Sequence, residues 1–392
     1  MNIVHLTPYY APAFAFGGVV RSVEGMARAL TRRGHTVTVL TTDALDTVTR
    51  CADSADTLRD GVRVLRARNQ STLLRGRLNL STPFGLRGLA ADVLPAADIL
   101  HVHEFRTVEN LLVVPLAAQL GLPVALSPHG TLPLTTGRSA FKTLWDRWIS
   151  PRIAPHIGAL IGLTQDEAAE ARACWQSIGQ PPALERIVPN GVNPQEFAAL
   201  SGRESFRERF GLGNGPVCLF MGRLHPRKGA AVLAEAFTQL DLPDARLVIV
   251  GPDEGLLEQL RTFAGERVVL TGYLGGADRL AALAAADLFA LPAVGEGLPM
   301  AALEAMAAGL PVILSPECHL PEAAAAGAGL EVLPAVAPLA QALHTLFSDA
   351  TRRQTMGAAA RQLVNQHFTW DAVAEQLETA YIHFIERNRT QT

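Results

Sequence analysis

Two carboxylates and two cations in the second half of the chain carry the plainest chemistry. Glu296 and Glu304 lie in the stretch DLFALPAVGEGLPMAALEAMAAGLPVI, and Arg223 and Lys228 lie in MGRLHPRKGAA. A carboxylate repels phosphate but accepts bidentately from vicinal hydroxyls such as those of a ribose or a hexose. Two of them suit the two ends of a nucleotide-sugar, with Glu304 on the ribose and Glu296 on the sugar. The two cations suit a departing diphosphate, which they would neutralise without a metal. No two Asp residues stand at D-x-D spacing, the arrangement that holds Mg²⁺ or Mn²⁺, so the expected metal ligands are none.

These side chains need a strand–loop–helix frame. Asp287 to Leu291 is a short apolar run closed by Pro292, as a buried parallel strand should be. Pro299 suits the first helical position, and Gly309 and Pro311 stop the helix. Glu296 on the loop and Glu304 about one and a half turns into the helix then aim at one crevice beyond the strand, with Gly297 and Leu298 beside the free amides of the helix start. A strand over 216–221 precedes Gly222, Arg223 and Lys228 in the same way. Cations are disfavoured at a helix start unless an anion is to be bound there.

The first half repeats the alternation. A strand over 2–7 leads to Gly17-Gly18, a helix over 19–34 and a strand over 36–41. The glycine pair lets backbone approach a ligand closely or is a plain tight turn. No G-x-G-x-x-G opens this helix, which argues against a nicotinamide or flavin enzyme. Strands over 98–103 (DILHVH) and 124–130 (VALSPHG) end in His103 and His129, at the edge where open α/β sheets bind ligands. His101 is expected to pack. Glu104 is the one acid beside those strand ends. A helical pattern over 141–153 carries Trp145 and Trp148, and turns over 189–197 mark a domain boundary.

Composition sets the bounds. With 392 residues, 48% of them hydrophobic and 18% charged, the chain is long enough for two cores. A net charge of −3 gives no case for nucleic acid. The four cysteines show no metal spacing or disulfide framework. No signal peptide or spanning segment is legible, so a cytoplasmic location is expected. The segment 59–87 interleaves seven arginines with leucines. It reads as a strand over 62–67 and a mobile loop, either a solvated basic face or a peripheral contact with an anionic membrane at its inner face.

E-G-L-P-x-x-x-L-E-A-M-A-A-G-x-P-V-I resembles the E-x7-E segment of retaining GT-B glycosyltransferases, particularly glycosyltransferase family 4, with Leu298-Pro299 where the common form has Phe-Gly. The R-x4-K pair and the SPHG and HVH segments match too, and the likeness covers nearly all the chain. It implies two facing doubly wound, Rossmann-like parallel-sheet domains with the cleft between them. They would comprise an acceptor-side domain over 1–190, a nucleotide-sugar domain over 191–368, and a C-terminal helix over 369–392 crossing back to the first. It further implies Gly17-Gly18 near the donor phosphate, His129 opposite the donor sugar, His103 and Glu104 on the acceptor side, and Tyr273-Leu274 beside the base. The expected activity is retaining, metal-independent transfer from a UDP- or GDP-linked donor, with no cofactor, to a saccharide or lipid-linked saccharide in polysaccharide or glycolipid assembly. A front-face path is preferred, since no nucleophilic carboxylate can be assigned. Rival readings are an epimerase or phosphorylase on the same architecture, or a non-catalytic nucleotide-sugar-binding protein.

Overall fold

Apolar runs punctuated by glycine and proline build two parallel sheets, each in its own unit of the chain. The computed structural model describes residues 1–78, 80–133, 139–180 and 183–391. One unit comprises Met1–Gly191 with Trp370–Thr392, the other Val192–Thr369.

The first unit's strands are β1 (Asn2–Leu6), β2 (Thr36–Thr42), β3 (Asp56–Arg59), β4 (Val62–Asn69), β5 (Pro83–Phe84), β6 (Ile99–His103), β7 (Val124–Ser127), β8 (Ala159–Gly162) and β9 (Leu184–Ile187). They run in the order β3-β4-β2-β1-β6-β7-β8-β9, with β5 on β4. Only β3 and β5 are antiparallel to their neighbour β4. The second unit's strands are β10 (Val217–Met221), β11 (Arg246–Val250), β12 (Val268–Gly272), β13 (Leu288–Leu291), β14 (Val312–Leu314) and β15 (Gly329–Glu331). Their order is β12-β11-β10-β13-β14-β15, all parallel. In both sheets the strand order reverses once, between β1 and β6 and between β10 and β13. Loops leaving the two carboxyl ends at such a reversal diverge and open a crevice, where doubly wound sheets bind ligands.

Val4, Leu6, Leu100, Val102, Leu126, Phe105 and Trp175 form the first unit's core. The helix Trp370–Gln391 completes it. Its Val373, Leu377, Ala380, Tyr381 and Phe384 are buried, and full burial of a large apolar side chain contributes about 1.5–3 kcal/mol at most. Its position is fixed by polar contacts as well. Tyr381 Oη lies 2.6 Å from His101 Nδ1, and Arg33 Nη2 lies 2.6 Å from Glu378. Gly25 admits the Trp370 indole where a Cβ would overlap it. No helix among the described residues is long and apolar enough to cross a membrane.

The segment 59–87 departs from expectation. In place of a mobile loop it holds the Thr72–Leu78 helix, β5 and the start of the Leu86–Val93 helix. Arg66 and Arg75 are buried; Arg66 donates to the Ala11 carbonyl (2.8 Å), and Arg75 donates through Nε to the Thr47 carbonyl (3.2 Å) while its two amino groups have no partner among the described residues. Arg63 is held by Asp56 at 2.7 Å and Arg59 stands 3.7 Å from Glu24. The segment is therefore not the uniform basic face that its composition implies. The side chain of Arg77 lies outside the described residues. The expected helix over 141–153 breaks at Ile149 into Ser139–Trp148 and Ser150–Ile153, the second opened by Pro151.

Candidate active site

Gly222 and Arg223 follow β10, and the chain then makes a single turn of 3-10 helix, Pro226–Lys228. Gly229 ends that turn in the left-handed region (φ +75°), with its α-carbon so close to the Pro292 carbonyl that a side chain would overlap it. This close approach brings the cationic loop against the loop after β13. Lys228 Nζ lies 2.5 Å from Glu296 Oε1, with both side chains largely buried. Arg227 clamps the glutamate loop from one side, its guanidinium donating to the carbonyls of Val294 (3.2 Å) and Gly295. Glu317 holds it from the other, accepting from Gly295 N at 2.7 Å through its carboxylate and from Glu296 N at 3.2 Å through its carbonyl. Leu298 is buried beneath. Pro299 is the N-cap rather than the first helical residue, and the helix runs Met300–Ala307. The carbonyl of Pro299 accepts from Ala302 N and Leu303 N, while the amides of Met300 and Ala301 have no acceptor among the described residues.

The four charged side chains do not share one contact. Glu304 is buried and pairs through Oε2 with Arg279 Nη1 at 2.5 Å. Arg279 comes from the Gly276–Ala285 helix, and its other amino group bonds Glu196. Arg223 is exposed and meets Glu254 at 2.9 Å. Each carboxylate of the expected pair is thus anchored through one oxygen by a cation, and the other oxygen has no protein partner among the described residues. An exposed pair such as Arg223–Glu254 is worth about 0–1 kcal/mol, so an anion displaces it at little cost. Tyr273 is half exposed beyond β12, and Leu274 is buried beside it.

On the first unit, four imidazoles stack in a column at the β1–β6 reversal. His5 Nδ1 is 2.9 Å from His103 Nε2, and His103 Nδ1 is 2.9 Å from His129 Nε2. His101 spends its nitrogens on Tyr381 and, at 2.9 Å, on Ser127. Burial pushes His5 down to about 3 and His129 to about 4, and pushes His101 and His103 well below the ordinary imidazole value. All four are neutral near pH 7. Ligand nitrogens of His5, His101 and His103 lie within 4.8 Å of one another, close enough for a metal. In this structure, however, the nitrogens of His101 and His103 are spent on hydrogen bonds. His103, expected on the acceptor side, is buried in the column and supports His129 instead of lining a cleft. Glu104 and His129 both take left-handed backbone (φ 61° and 55°), a strain of order 1–3 kcal/mol that surrounding contacts must hold. For Glu104 these are a bond from its amide to the Ser127 carbonyl and one from Asn110 to its own carbonyl. Gly17, with φ 102°, caps the Gly18–Arg32 helix.

Each unit matches a family model of its own. Residues 215–349 match glycosyl transferases group 1, and residues 17–191 match the glycosyl transferase 4-like domain. The chain is a group 1 glycosyltransferase. The glycosyltransferase is 36% identical, over 216 residues, to a GDP-mannose-dependent monoacylated alpha-(1-6)-phosphatidylinositol monomannoside mannosyltransferase of Corynebacterium glutamicum. That match covers 51% of this chain and 56% of the relative. A glycogen synthase of Mycobacterium tuberculosis is 27% identical over 97% of this chain and 94% of its own. In fold, the glycosyltransferase resembles the sucrose-phosphate synthase of Thermosynechococcus elongatus, with a TM-score of 0.75, 21% identity, and coverage of 99% and 100% of the two chains. The fold is GT-B.

Several groups that hold the glycosyltransferase's site carry no local signal. His5 looks like one polar residue in an apolar strand, and Glu167 like an ordinary acid in a first helical turn. Glu167 instead accepts from Leu163 N at 2.5 Å and from Gly130 N, fixing the peptide after His129. Glu167→Ala strands two amides that are buried or nearly so, at about 1–3 kcal/mol each. The melting temperature is expected to fall by several degrees, and Glu167→Gln to recover part of it. Thermal melts of the three proteins check this, and an unchanged melt for the alanine variant would contradict it.

Proposed function

We propose that the enzyme transfers a sugar from a UDP- or GDP-linked donor to an acceptor hydroxyl, retaining the anomeric configuration and using protein cations in place of a metal. The Lys228–Glu296 contact at the β10–β13 reversal carries this reading. Lys228 and Arg223 turn to the departing diphosphate, aided by the amides of Met300 and Ala301. Glu296 uses its unpaired oxygen for the donor sugar's hydroxyls and Glu304 uses its own for the ribose. Gly17-Gly18 and Gly222 give backbone access to the phosphates, Tyr273 and Leu274 meet the base, and His129 donates or accepts one hydrogen bond to the sugar as a neutral imidazole.

Retention by double displacement needs a carboxylate free to attack the anomeric carbon. Glu296 is tied to Lys228 and Glu104 is set by its strained backbone, so a front-face path is the better reading. In it the bond to the leaving phosphate oxygen breaks, the acceptor oxygen bonds the same face, and the acceptor's proton passes to that phosphate. The acceptor is a saccharide or lipid-linked saccharide, by analogy with the mannosyltransferase relative, whose name specifies an acylated glycolipid. The test is a thermal-shift screen with UDP-, GDP- and ADP-sugars. A donor at about 100 times its Kd adds about 2.7 kcal/mol of stability. Product NMR in excess chelator follows. Retained anomer and undiminished transfer are expected. An inverted product, or loss of activity with the chelator, would overturn the mechanism, and no shift with any donor would overturn the donor class.

A further inference from the structure

The helix Ser139–Trp148 is apolar on two sides. Trp145 is buried in the first unit's core, and Asp146 turns inward to a bidentate pair with Arg106 at 2.9 and 2.7 Å. Phe141, Leu144 and Trp148 point outward, exposed by 41%, 59% and 58%. At about 100° per residue these three fall within an arc of about 60°, a single stripe along the helix. Cations stand at its carboxyl end. The Arg147 guanidinium lies 5.6 Å from the Trp148 ring, and Arg152, one turn on, donates to the Trp148 carbonyl. Both arginines are exposed. The one acid of the segment is spent on Arg106, so the outward face is apolar and positive.

A stripe of large apolar groups on a surface helix calls for a cover. Its composition fits one occupant. Phe, Leu and Trp with flanking arginines suit the boundary between lipid headgroups and acyl chains, where an indole meets apolar and polar surroundings together and guanidiniums meet phosphates. The arginines of 59–87 are weaker candidates for this role, since two are buried and two more face acids, leaving Arg68 and Arg87 as the exposed ones that face no acid among the described side chains.

We propose that this helix seats the enzyme on an anionic bilayer, with Phe141, Leu144 and Trp148 entering the headgroup–acyl boundary and Arg147 and Arg152 on the lipid phosphates. The inference deepens the lipid-linked acceptor reading, and rests on it for its purpose but not for its test.

The test is cosedimentation of the full chain with vesicles of phosphatidylcholine alone or with phosphatidylglycerol added, in the absence of donor and acceptor. Binding to the mixed vesicles, weak binding to the neutral ones, and a loss of binding with added salt are expected. The triple variant Phe141→Ser, Leu144→Ser, Trp148→Ser should bind at least ~10-fold less, and Arg147→Gln with Arg152→Gln should lose the preference for anionic lipid. Thermal melts of both variants, matching the wild type, establish that they fold. Wild-type protein that stays in the supernatant, or variants that bind as well as the wild type, would overturn the proposal. So would a wild-type dimer in light scattering that the triple variant dissociates, with no vesicle binding. Failure here leaves the donor screen untouched, and failure of that screen leaves the sedimentation result standing.

Discussion

Lys228→Ala is expected to lower kcat/KM for sugar transfer by at least ~10²-fold, the range seen when one preorganised group facing a developing negative charge is removed. Two effects act together. The diphosphate loses its most enclosed cation, and Glu296, whose carboxylate is largely buried and held at 2.5 Å by that lysine, is left as an unpaired negative charge beside an anionic ligand. The second effect can be isolated. Glu296→Gln in the alanine background removes the stranded charge, so the double variant should bind donor more tightly than Lys228→Ala alone, although it transfers no faster than either single change permits. Such a departure from additivity is what two residues in direct contact should show. Arg223→Ala should cost less in donor binding, because Arg223 is exposed and its Glu254 partner is solvated. Steady-state rates and donor titrations on the wild type, the three single variants and the double variant decide the matter. Near-normal turnover of Lys228→Ala would remove the lysine from the mechanism.

Acidification is expected to be the condition that most weakens the fold. An unfolded histidine takes up a proton near pH 6.5, whereas His5 in the fold resists until about 3 and His129 until about 4, with His101 and His103 also held well below the ordinary value by burial. Below pH 6.5 the unfolded chain therefore binds more protons than the folded one. The stability these groups contribute is complete above that pH and drains away as pH falls. Each imidazole adds a slope of at most ~1.4 kcal/mol per pH unit, and four together at most ~5.5 kcal/mol per pH unit. Glu109 works in the opposite direction. Burial lifts its carboxyl to about 7, so its contribution is complete below its unfolded value and lost as pH rises toward 7. Glu24, also raised by burial, acts with it, and two carboxyls against these four imidazoles leave a net loss on the acid side. Set against typical stabilities of ~5–15 kcal/mol, this places unfolding near pH 5. Calorimetry from pH 8 to 4.5 at constant ionic strength measures it, and a melting temperature unchanged between pH 7 and 5 would refute the account.

The candidate residues whose place in the fold was legible from sequence are those whose position is set locally. Glu296, Lys228 and His129 each follow a short apolar run that ends in glycine or proline, and such punctuation marks a strand's carboxyl edge without reference to the remainder of the fold. Their partners are a different matter. His5 meets His103 because β1 and β6 are neighbours, and strand order is a property of the whole sheet. Arg279 reaches Glu304, and Glu317 reaches Gly295, from separate elements of the second unit. No spacing rule links them. The arginines of 59–87 misled for another reason. Composition counts charge, but a guanidinium has five donors and is stable indoors when protein acceptors take them, as Arg66 illustrates with the Ala11 carbonyl, the Thr57 hydroxyl and Asp53.

The helix that begins at Trp370 bears on how the protein is made. Because its Tyr381 completes the bonding of His101, and its apolar stripe closes the first unit, that unit draws on two stretches of chain with the entire second unit synthesised between them. On the ribosome the first unit must wait, its flank uncovered, until the second has emerged. A gene fragment cut at Gly191 inherits the same bare flank permanently, so the first unit on its own is a poor candidate for recombinant expression unless this helix is grafted back.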